Sequence, residues 1–301
     1  MSRIHDILSK AERDGTARRV STAGFTATED APPPVIEPAA RIMALHDGTA
    51  SDAFPVDRHG TVSAPVETTP ATPEIRGVQL DPVLVAALEP ESLASEQYRA
   101  LRTRITQSEN GRAVRTIAVT SPAKGDGKSV NAANLALTMA QEFQQRIVLV
   151  DGDLRHPRAH HLLGLTAGAG LAEVLKGELE LDAALVSLPD HHLTVLPAGV
   201  PPSHPAELLG STAMRRVIES LRQRYDRIVI DMPPAAPFAD AQILSPLVDG
   251  VVVIVRAGVT PRPAVERTLG GLARAKVLGL VLNEAGVPTE SGYSPEGYQK
   301  D

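Results

Sequence analysis

A glycine-containing loop between a strand and a helix is the part of this chain whose residues are best suited to bind phosphate. In the segment TIAVTSPAKGDGKSVNA, which begins at Thr116, Gly125 and Gly127 allow a tight turn in which consecutive N–H groups face one anion. Lys128 would contact the β- and γ-phosphates of a nucleotide, and the Ser129 hydroxyl would ligate Mg²⁺. The helix beginning at Lys128 adds its positive end. We therefore predict a nucleotide-binding loop.

Acidic residues at the ends of two predicted strands are candidate metal ligands. Asp151 and Asp153 follow one strand, and Asp231 follows another. In an open parallel sheet, ligands bind at the carboxyl ends of the strands. Mg²⁺ prefers oxygen ligands and keeps several waters. A single aspartate at a strand end is more often a turn or cap residue, but together with the loop these three predict site residues.

The elements that must position these residues alternate between strands and helices. Short Val- and Ile-rich segments predict strands at 115–120, 146–151, 193–197, 226–231, 250–256 and 277–282. Helices are predicted at 92–108, 128–142, 170–176, 212–223, 240–247 and 262–275. This order predicts an α/β fold: a doubly wound, mostly parallel sheet between two helical layers.

The composition divides the chain into four regions and excludes several classes of protein. The predicted regions are an amphipathic helix at 1–19, a disordered Pro-rich linker at 20–75, a nucleotide-binding domain at 76–285 and a flexible tail at 286–301. The absence of Cys excludes a disulfide framework and thiol catalysis. The net charge of −6 argues against a polyanion-binding protein. With no long apolar run and no secretory signal, a cytoplasmic protein is expected.

The ordered motifs of residues 80–285 resemble the bacterial tyrosine kinases of capsule and exopolysaccharide synthesis, which are P-loop NTPases related to the partition and division-site ATPases. The similarity includes the GKS loop and the segments VDGDLRHP, LPAGVPPSHPAELL, YDRIVIDMPP, VVVIVRAGVT and GLVLN. The first glycine of the loop pattern is replaced by Pro122. Ala123 stands where the partition ATPases carry a lysine, and Lys124 follows it.

The resemblance implies roles for the acidic residues. Asp151 corresponds to a general base or Mg²⁺-network residue toward a tyrosine hydroxyl, Asp153 lies by the metal and phosphates, and Asp231 holds the metal's water shell. Arg155 either stabilises phosphate charge or forms a surface salt bridge, and Asn283 either reads the base edge or is a turn residue. The expected catalytic residues are Lys128, Asp151, Asp153 and Asp231, and the expected metal ligands are Ser129, Asp153 and Asp231. The expected nucleotide-binding residues are Lys124, Gly125, Asp126, Gly127, Lys128, Ser129, Val130, Arg155 and Asn283.

Two further groups correspond to interaction sites in the family. Glu96, Arg99 and Arg102 match a helical element at subunit contacts, and their spacing places them along one face; a solvated charged face is the alternative. Tyr293 and Tyr298 in the tail are the expected phosphate acceptors. The 18 residues after Asn283 could span about 60 Å when extended, enough to enter a neighbouring subunit's site.

The resemblance therefore predicts an ATP-dependent, Mg²⁺-dependent protein-tyrosine autokinase that regulates polysaccharide biosynthesis and export. It implies a homo-oligomer, a membrane-embedded polysaccharide co-polymerase as activator, and a peripheral position at the inner face of the plasma membrane; no nucleic-acid partner is expected. Because the tail has only two tyrosines, the alternative is a non-kinase regulatory P-loop ATPase that acts as an assembly switch.

Overall fold

The computed structural model describes residues 72–285 except 110–112, 143, 237–238 and 273–274. The predicted helix at 1–19, nearly all of the linker at 20–75, and the tail with Tyr293 and Tyr298 lie outside the described residues.

Seven strands form one sheet in the order β3-β4-β2-β5-β1-β6-β7. Every neighbouring pair is parallel except β3 and β4, which are antiparallel. The doubly wound, mostly parallel sheet is therefore confirmed, and all six predicted strands are present. The strands are β1 Thr116–Thr120, β2 Ile147–Asp151, β3 Val186–Leu188, β4 Leu193–Leu196, β5 Arg227–Asp231, β6 Gly250–Arg256 and β7 Val277–Asn283.

Helices cover both faces of the sheet and complete a three-layer architecture. Successive residues of β1 alternate between the two cores, with Ile117 in one and Ala118 in the other, as expected for a strand buried on both faces. The helices are α1 Val85–Leu88, α2 Leu93–Gln107, α3 Lys128–Ala140, α4 Ala159–Leu162, α5 Leu171–Lys176, α6 Leu181–Ala184, α7 Pro205–Leu209, α8 Thr212–Arg224, α9 Asp240–Leu244 and α10 Arg262–Gly271. Two 3₁₀ turns lie at Pro189–His191 and Ser245–Leu247.

Local chemistry explains where the observed helices differ from the predicted ones. The helix predicted at 240–247 divides into α9 and a 3₁₀ turn containing Pro246, because proline lacks the N–H that continues an α-helix. The helix predicted at 262–275 ends at Gly271, after two consecutive glycines, and glycine is a poor helix former.

The edge strand β3 was not predicted, because three residues are too few to show an alternating pattern. Its partners come from two places in the chain. It pairs with β4, and the N–H of Ser187 donates to the carbonyl of Pro73 while the N–H of Ile75 donates to the carbonyl of Ser187. The first residues that the structure describes are thus already joined to the sheet.

Within the described part of the chain, none of the helices has both the length and the apolar character needed to cross a bilayer.

Candidate active site

The loop between β1 and α3 adopts a conformation that requires glycine at two positions. Gly125 and Gly127 have φ angles of 90° and 98°, in the left-handed region that L side chains rarely adopt. A Cβ on Gly127 would lie 2.2 Å from Nδ2 of Asn283, so a side chain there would displace that amide. The loop is thus shaped for close approach of its backbone to a ligand.

Asp126 fixes this loop to the neighbouring part of the sheet. Its Oδ2 accepts from the N–H of Ala123 at 2.8 Å, and its Oδ1 accepts from the Thr260 hydroxyl at 2.8 Å. Its main-chain oxygen accepts from Nδ2 of Asn283 at 3.0 Å. The Asp126 side chain therefore shapes the loop, and a contribution of its N–H to nucleotide binding stays a prediction. Sequence reasoning did not identify Thr260, although it ends the motif VVVIVRAGVT.

Lys128, at the start of α3, reaches two of the predicted aspartates. Its Nζ lies 2.7 Å from Oδ2 of Asp153, 3.5 Å from Oδ1 of Asp231 and 3.1 Å from the Ser129 hydroxyl. Burial alone would lower the pKa of Lys128, but the charges of Asp231 and Asp153 outweigh it and raise the pKa above its usual value. Lys128 is therefore a fixed positive charge at this end of the sheet.

Parallel pairing brings the three aspartates together. Asp151 at the end of β2 lies opposite Asp231 at the end of β5, and Asp153 follows two residues later. Asp231 is fully buried, and among the described residues its Oδ2 has no hydrogen-bond partner. Burial raises the pKa of Asp231, while the Lys128 charge opposes that rise.

Asp151 organises the loop that follows β2. Its Oδ1 accepts from the N–H of Asp153 at 3.2 Å, and its Oδ2 accepts from the N–H groups of Arg158 at 3.1 Å and Ala159 at 3.0 Å. Burial, together with the Asp231 charge, raises the pKa of Asp151 to about 7. Carboxyls with such pKa values suit proton transfer near neutral pH. Asp151 is itself fully buried.

The oxygen groups at this edge fit the chemistry of Mg²⁺. Ser129, Asp153 and Asp231 converge on Lys128, and the unpartnered, buried Oδ2 of Asp231 can accept from a metal-bound water. The described residues contain no group of three or more His, Cys, Asp or Glu side chains that could hold a metal by themselves. Mg²⁺ binds through one or two carboxylates, waters and substrate phosphates, so the oxygen groups of Ser129, Asp153 and Asp231 suit it.

A cavity of about 660 Å³ opens beside the loop, within the range of small-molecule sites. Asp153 and seven of the nine predicted nucleotide-binding residues line it, the seven being Lys124, Gly125, Gly127, Lys128, Ser129, Val130 and Asn283. Asp126 and Arg155 are not among its lining residues. Sequence reasoning missed Val83, His156, Arg158, Pro234, Ala236 and Glu284. For His156 and Arg158, the sequence offered one signal of a place in the site, which is their position just after the acidic end of β2.

Arg155 is directed to a buried carboxylate rather than to the cavity. Its Nε and Nη2 donate to the two oxygens of Asp240 at 2.6 Å and 3.2 Å, a bidentate pair. Asp240 is fully buried and Arg155 is partly exposed. Of the two alternatives for Arg155, this geometry favours the salt bridge, although its partner is buried; phosphate binding by Arg155 stays a prediction.

The helical element predicted to contact a neighbouring subunit divides into two parts. Arg99 pairs with Glu96 on the exposed side of α2. Arg102 instead contacts α3 of its own chain, with Nε 3.1 Å from Oε1 of Glu142 and Nη1 donating to the carbonyl of Thr138 at 2.8 Å. The interface prediction therefore rests on Glu96 and Arg99, while Arg102 holds α2 against α3.

Comparisons with known proteins agree with this fold. An AAA domain family model matches residues 114–260. The chain is 36% identical over 224 residues to Tyrosine-protein kinase YwqD of Bacillus subtilis (strain 168), covering 74% of this chain and 94% of that protein. It is 35% identical over 211 residues to Succinoglycan biosynthesis transport protein ExoP of Rhizobium meliloti (strain 1021), covering 68% of this chain but 27% of that protein.

A solved structure has the same arrangement. The kinase domain of Escherichia coli tyrosine kinase ETK superposes with a TM-score of 0.63 at 26% identity, covering 70% of this chain and 84% of that domain. The 36% sequence identity extends over 94% of the Bacillus relative. Together with the matching fold and the glycine-containing loop, this identity establishes the family. The chain belongs to the bacterial tyrosine-protein kinases of capsule and exopolysaccharide biosynthesis, within the P-loop NTPases.

Proposed function

We propose that this chain transfers the γ-phosphate of ATP to Tyr293 and Tyr298 in the tail of a neighbouring copy, and so regulates exopolysaccharide or capsule production. The observation that carries the proposal is the position of Lys128 between Asp153 and Asp231 at the wall of the cavity. Phosphoryl transfer needs a protein mainly to position its reactants and to neutralise charge, and these residues supply both.

Each residue of the site has a distinct task. The N–H groups of the loop and the ammonium of Lys128 hold the β- and γ-phosphates. A bound Mg²⁺, held through Ser129, Asp153 and Asp231, would neutralise charge on the phosphates. Asp151 takes the proton of the tyrosine hydroxyl, directly or through the carboxylate network. The phenolic oxygen then bonds to the γ-phosphorus, the bond from that phosphorus to the β–γ bridging oxygen breaks, and ADP leaves.

Two of the four tyrosines are poor acceptors. The hydroxyl of Tyr98 donates to Oδ1 of Asn131 at 3.2 Å, and burial raises the pKa of Tyr98 to about 12. Tyr225 packs against one of the two hydrophobic cores. These placements support Tyr293 and Tyr298 as the acceptors, although both lie outside the described residues.

Transfer between copies requires an assembly, and we assign its contact to the exposed side of α2. Glu96 and Arg99 would exchange their mutual ion pair for pairs with a neighbour. The activating partner is proposed to be a membrane-embedded polysaccharide co-polymerase, which would place this chain at the inner face of the plasma membrane; the name of the Rhizobium relative as a transport protein supports such a partner.

The decisive experiment incubates the purified chain with labelled ATP and Mg²⁺, with and without a cytosolic fragment of the co-polymerase. We expect phosphotyrosine in the native chain and none in the variant Tyr293→Phe/Tyr298→Phe. Lys128→Met serves as the control for nucleotide dependence. ATP hydrolysis that requires Lys128, without any phosphotyrosine even when the partner fragment is present, would select the regulatory ATPase instead.

A further inference from the structure

A second cavity of about 440 Å³ adjoins the nucleotide cavity and is not used by the mechanism above. Lys124, His156 and Arg158 line both cavities and therefore form the wall between them. The remaining lining residues are Asp81, Pro157, His161 and Leu162.

Two residues of this wall, Lys124 and Arg158, carry positive charge without a counterion among the described residues. The side chains of Lys124, His156 and Arg158 are exposed, and in the described part of the chain none of them makes a hydrogen bond or ion pair. Among the described residues, the one carboxylate that lines the second cavity belongs to Asp81, whose Oδ1 accepts from the N–H of Val83. In an acidic protein such a surface favours a negatively charged ligand.

The wall is held at a defined place relative to the catalytic carboxylates. The N–H of Arg158 donates to Asp151, and the N–H of His156 donates to Oδ1 of Asp153 at 3.0 Å. These bonds use main-chain atoms, so the side chains of both residues are available to a ligand. A group bound in the second cavity would therefore lie next to the nucleotide cavity, across the wall formed by these residues.

The chain itself contains a segment of the required charge. Its final residues, TESGYSPEGYQKD from Thr289, place Glu290 three residues before Tyr293 and Glu296 two residues before Tyr298. We propose that the basic cavity binds these glutamates in the tail of a second copy of this chain, and so determines which tyrosines enter the site. This inference rests on the proposed function, since it assigns the substrate side of the same reaction.

The test uses the full-length chain carrying Tyr293→Phe/Tyr298→Phe as enzyme and a synthetic peptide of residues 286–301 in excess as acceptor. Adding Arg158→Gln to the enzyme, or Glu290→Gln/Glu296→Gln to the peptide, should raise the KM for peptide about 3- to 10-fold, as expected when one or two exposed charge pairs are lost. The two changes together should add little to either one, because they remove the same contacts. Arg215→Gln, an exposed arginine on α8 outside both cavities, is the matched control and should leave the KM unchanged.

Exchanging the charges of Arg158 in the enzyme and Glu296 in the peptide gives the most specific test. Arg158→Glu should reject the native peptide and accept a peptide carrying Glu296→Lys, whereas the native enzyme should show the reverse preference. If Arg158→Gln weakens ATP binding and leaves the preference between acidic and neutral peptides unchanged, the wall serves the nucleotide and the inference is overturned.

A measurement of peptide binding distinguishes failure of this inference from failure of the proposed kinase activity. A fluorescent peptide of residues 286–301 with phenylalanine at both tyrosine positions is titrated with the full chain in the presence of a non-hydrolysable ATP analogue. Charge-dependent binding that Arg158→Gln weakens, in a protein that forms no phosphotyrosine, would support the cavity's role and refute the transfer. Binding that does not depend on the glutamates or on Arg158 would overturn the inference even if the chain is an active kinase.

Discussion

The side-chain amide of Asn283, the last residue of β7, donates to the main-chain oxygen of Asp126 at 3.0 Å. This bond joins the edge of the sheet to the loop between β1 and α3, although Asp126 precedes Asn283 by more than 100 residues in the chain. Asn283 also lines the nucleotide cavity. One residue therefore both shapes the loop and contributes to the wall of the site, which leads to the first prediction.

Replacing Asn283 with alanine should weaken ATP binding about 2- to 12-fold, the range expected for loss of one hydrogen bond that positions the loop. Fluorescence titration with a labelled ATP analogue measures the change. Leu282→Ala, at an exposed neighbouring position on the same strand, is the control and should leave ATP affinity unchanged. Equal affinities for Asn283→Ala and native protein would show that the bond does not support the binding conformation.

Alanine at the two loop glycines should have unequal effects. Both positions have positive φ, so each substitution strains the backbone by about 1–2 kcal/mol. A Cβ at Gly125 meets no atom within 4 Å, whereas a Cβ at Gly127 meets Asn283. Gly127→Ala should therefore lower the free energy of unfolding more than Gly125→Ala does, as urea denaturation can measure. A larger loss for Gly125→Ala would contradict the described loop geometry.

Lys128→Met should destabilise the protein in a pH-dependent way. Removing the ammonium leaves Asp153 and Asp231 buried without their counter-charge, at a cost of about 3 kcal/mol near pH 8. The pKa of Asp231 is already raised by burial and would rise further. A carboxyl whose pKa is higher in the folded than in the unfolded protein makes the folded protein less stable as the pH rises. The difference in unfolding free energy between Lys128→Met and native protein should therefore shrink toward pH 5.

Thermal unfolding of native protein and Lys128→Met between pH 5 and pH 8 measures this dependence. Lys176→Met, which removes a surface lysine 3.9 Å from Glu173, is the matched control and should show a small, nearly constant effect. A deficit for Lys128→Met that does not change with pH would argue against the buried charge cluster.

Arg155→Gln tests the two roles considered for that arginine. It leaves the fully buried Asp240 without its bidentate partner and should lower the free energy of unfolding by about 3 kcal/mol. ATP affinity should change less than about 2-fold, because Arg155 does not line the nucleotide cavity. Arg146→Gln, which breaks an exposed pair with Asp226, should cost less than about 1 kcal/mol. Lost ATP affinity with unchanged stability would instead support the phosphate role.

Tyr98 should ionise at a higher pH than an ordinary tyrosine does. Burial raises its pKa to about 12, so the absorbance difference at the tyrosinate band between native protein and Tyr98→Phe should have a midpoint near that pH. Since the folded pKa lies above the unfolded value of about 10, its contribution to stability is complete below pH 10 and is lost as the pH rises to 12. A midpoint near 10 would mean that Tyr98 is exposed to solvent.

Residue types and their spacing along the chain were sufficient to predict the fold and the loop between β1 and α3. Val- and Ile-rich runs predicted six strands, because a parallel strand buried on both faces must be apolar along its length. The loop with Gly125, Gly127 and Lys128 was predictable for a similar reason, since positive φ and phosphate contact each demand particular residue types at adjacent positions.

Only the tertiary structure decided which partners these residues have. That Arg155 pairs with Asp240, that Arg102 contacts its own α3, and that His156 and Arg158 line a cavity all depend on residues distant in the chain. The strand β3 likewise exists because its backbone finds partners in β4 and near Pro73. Residue type and spacing along the chain determine what a side chain can do, but charge pairing and burial depend on distances in space, and those arise only when the sheet and helices pack together.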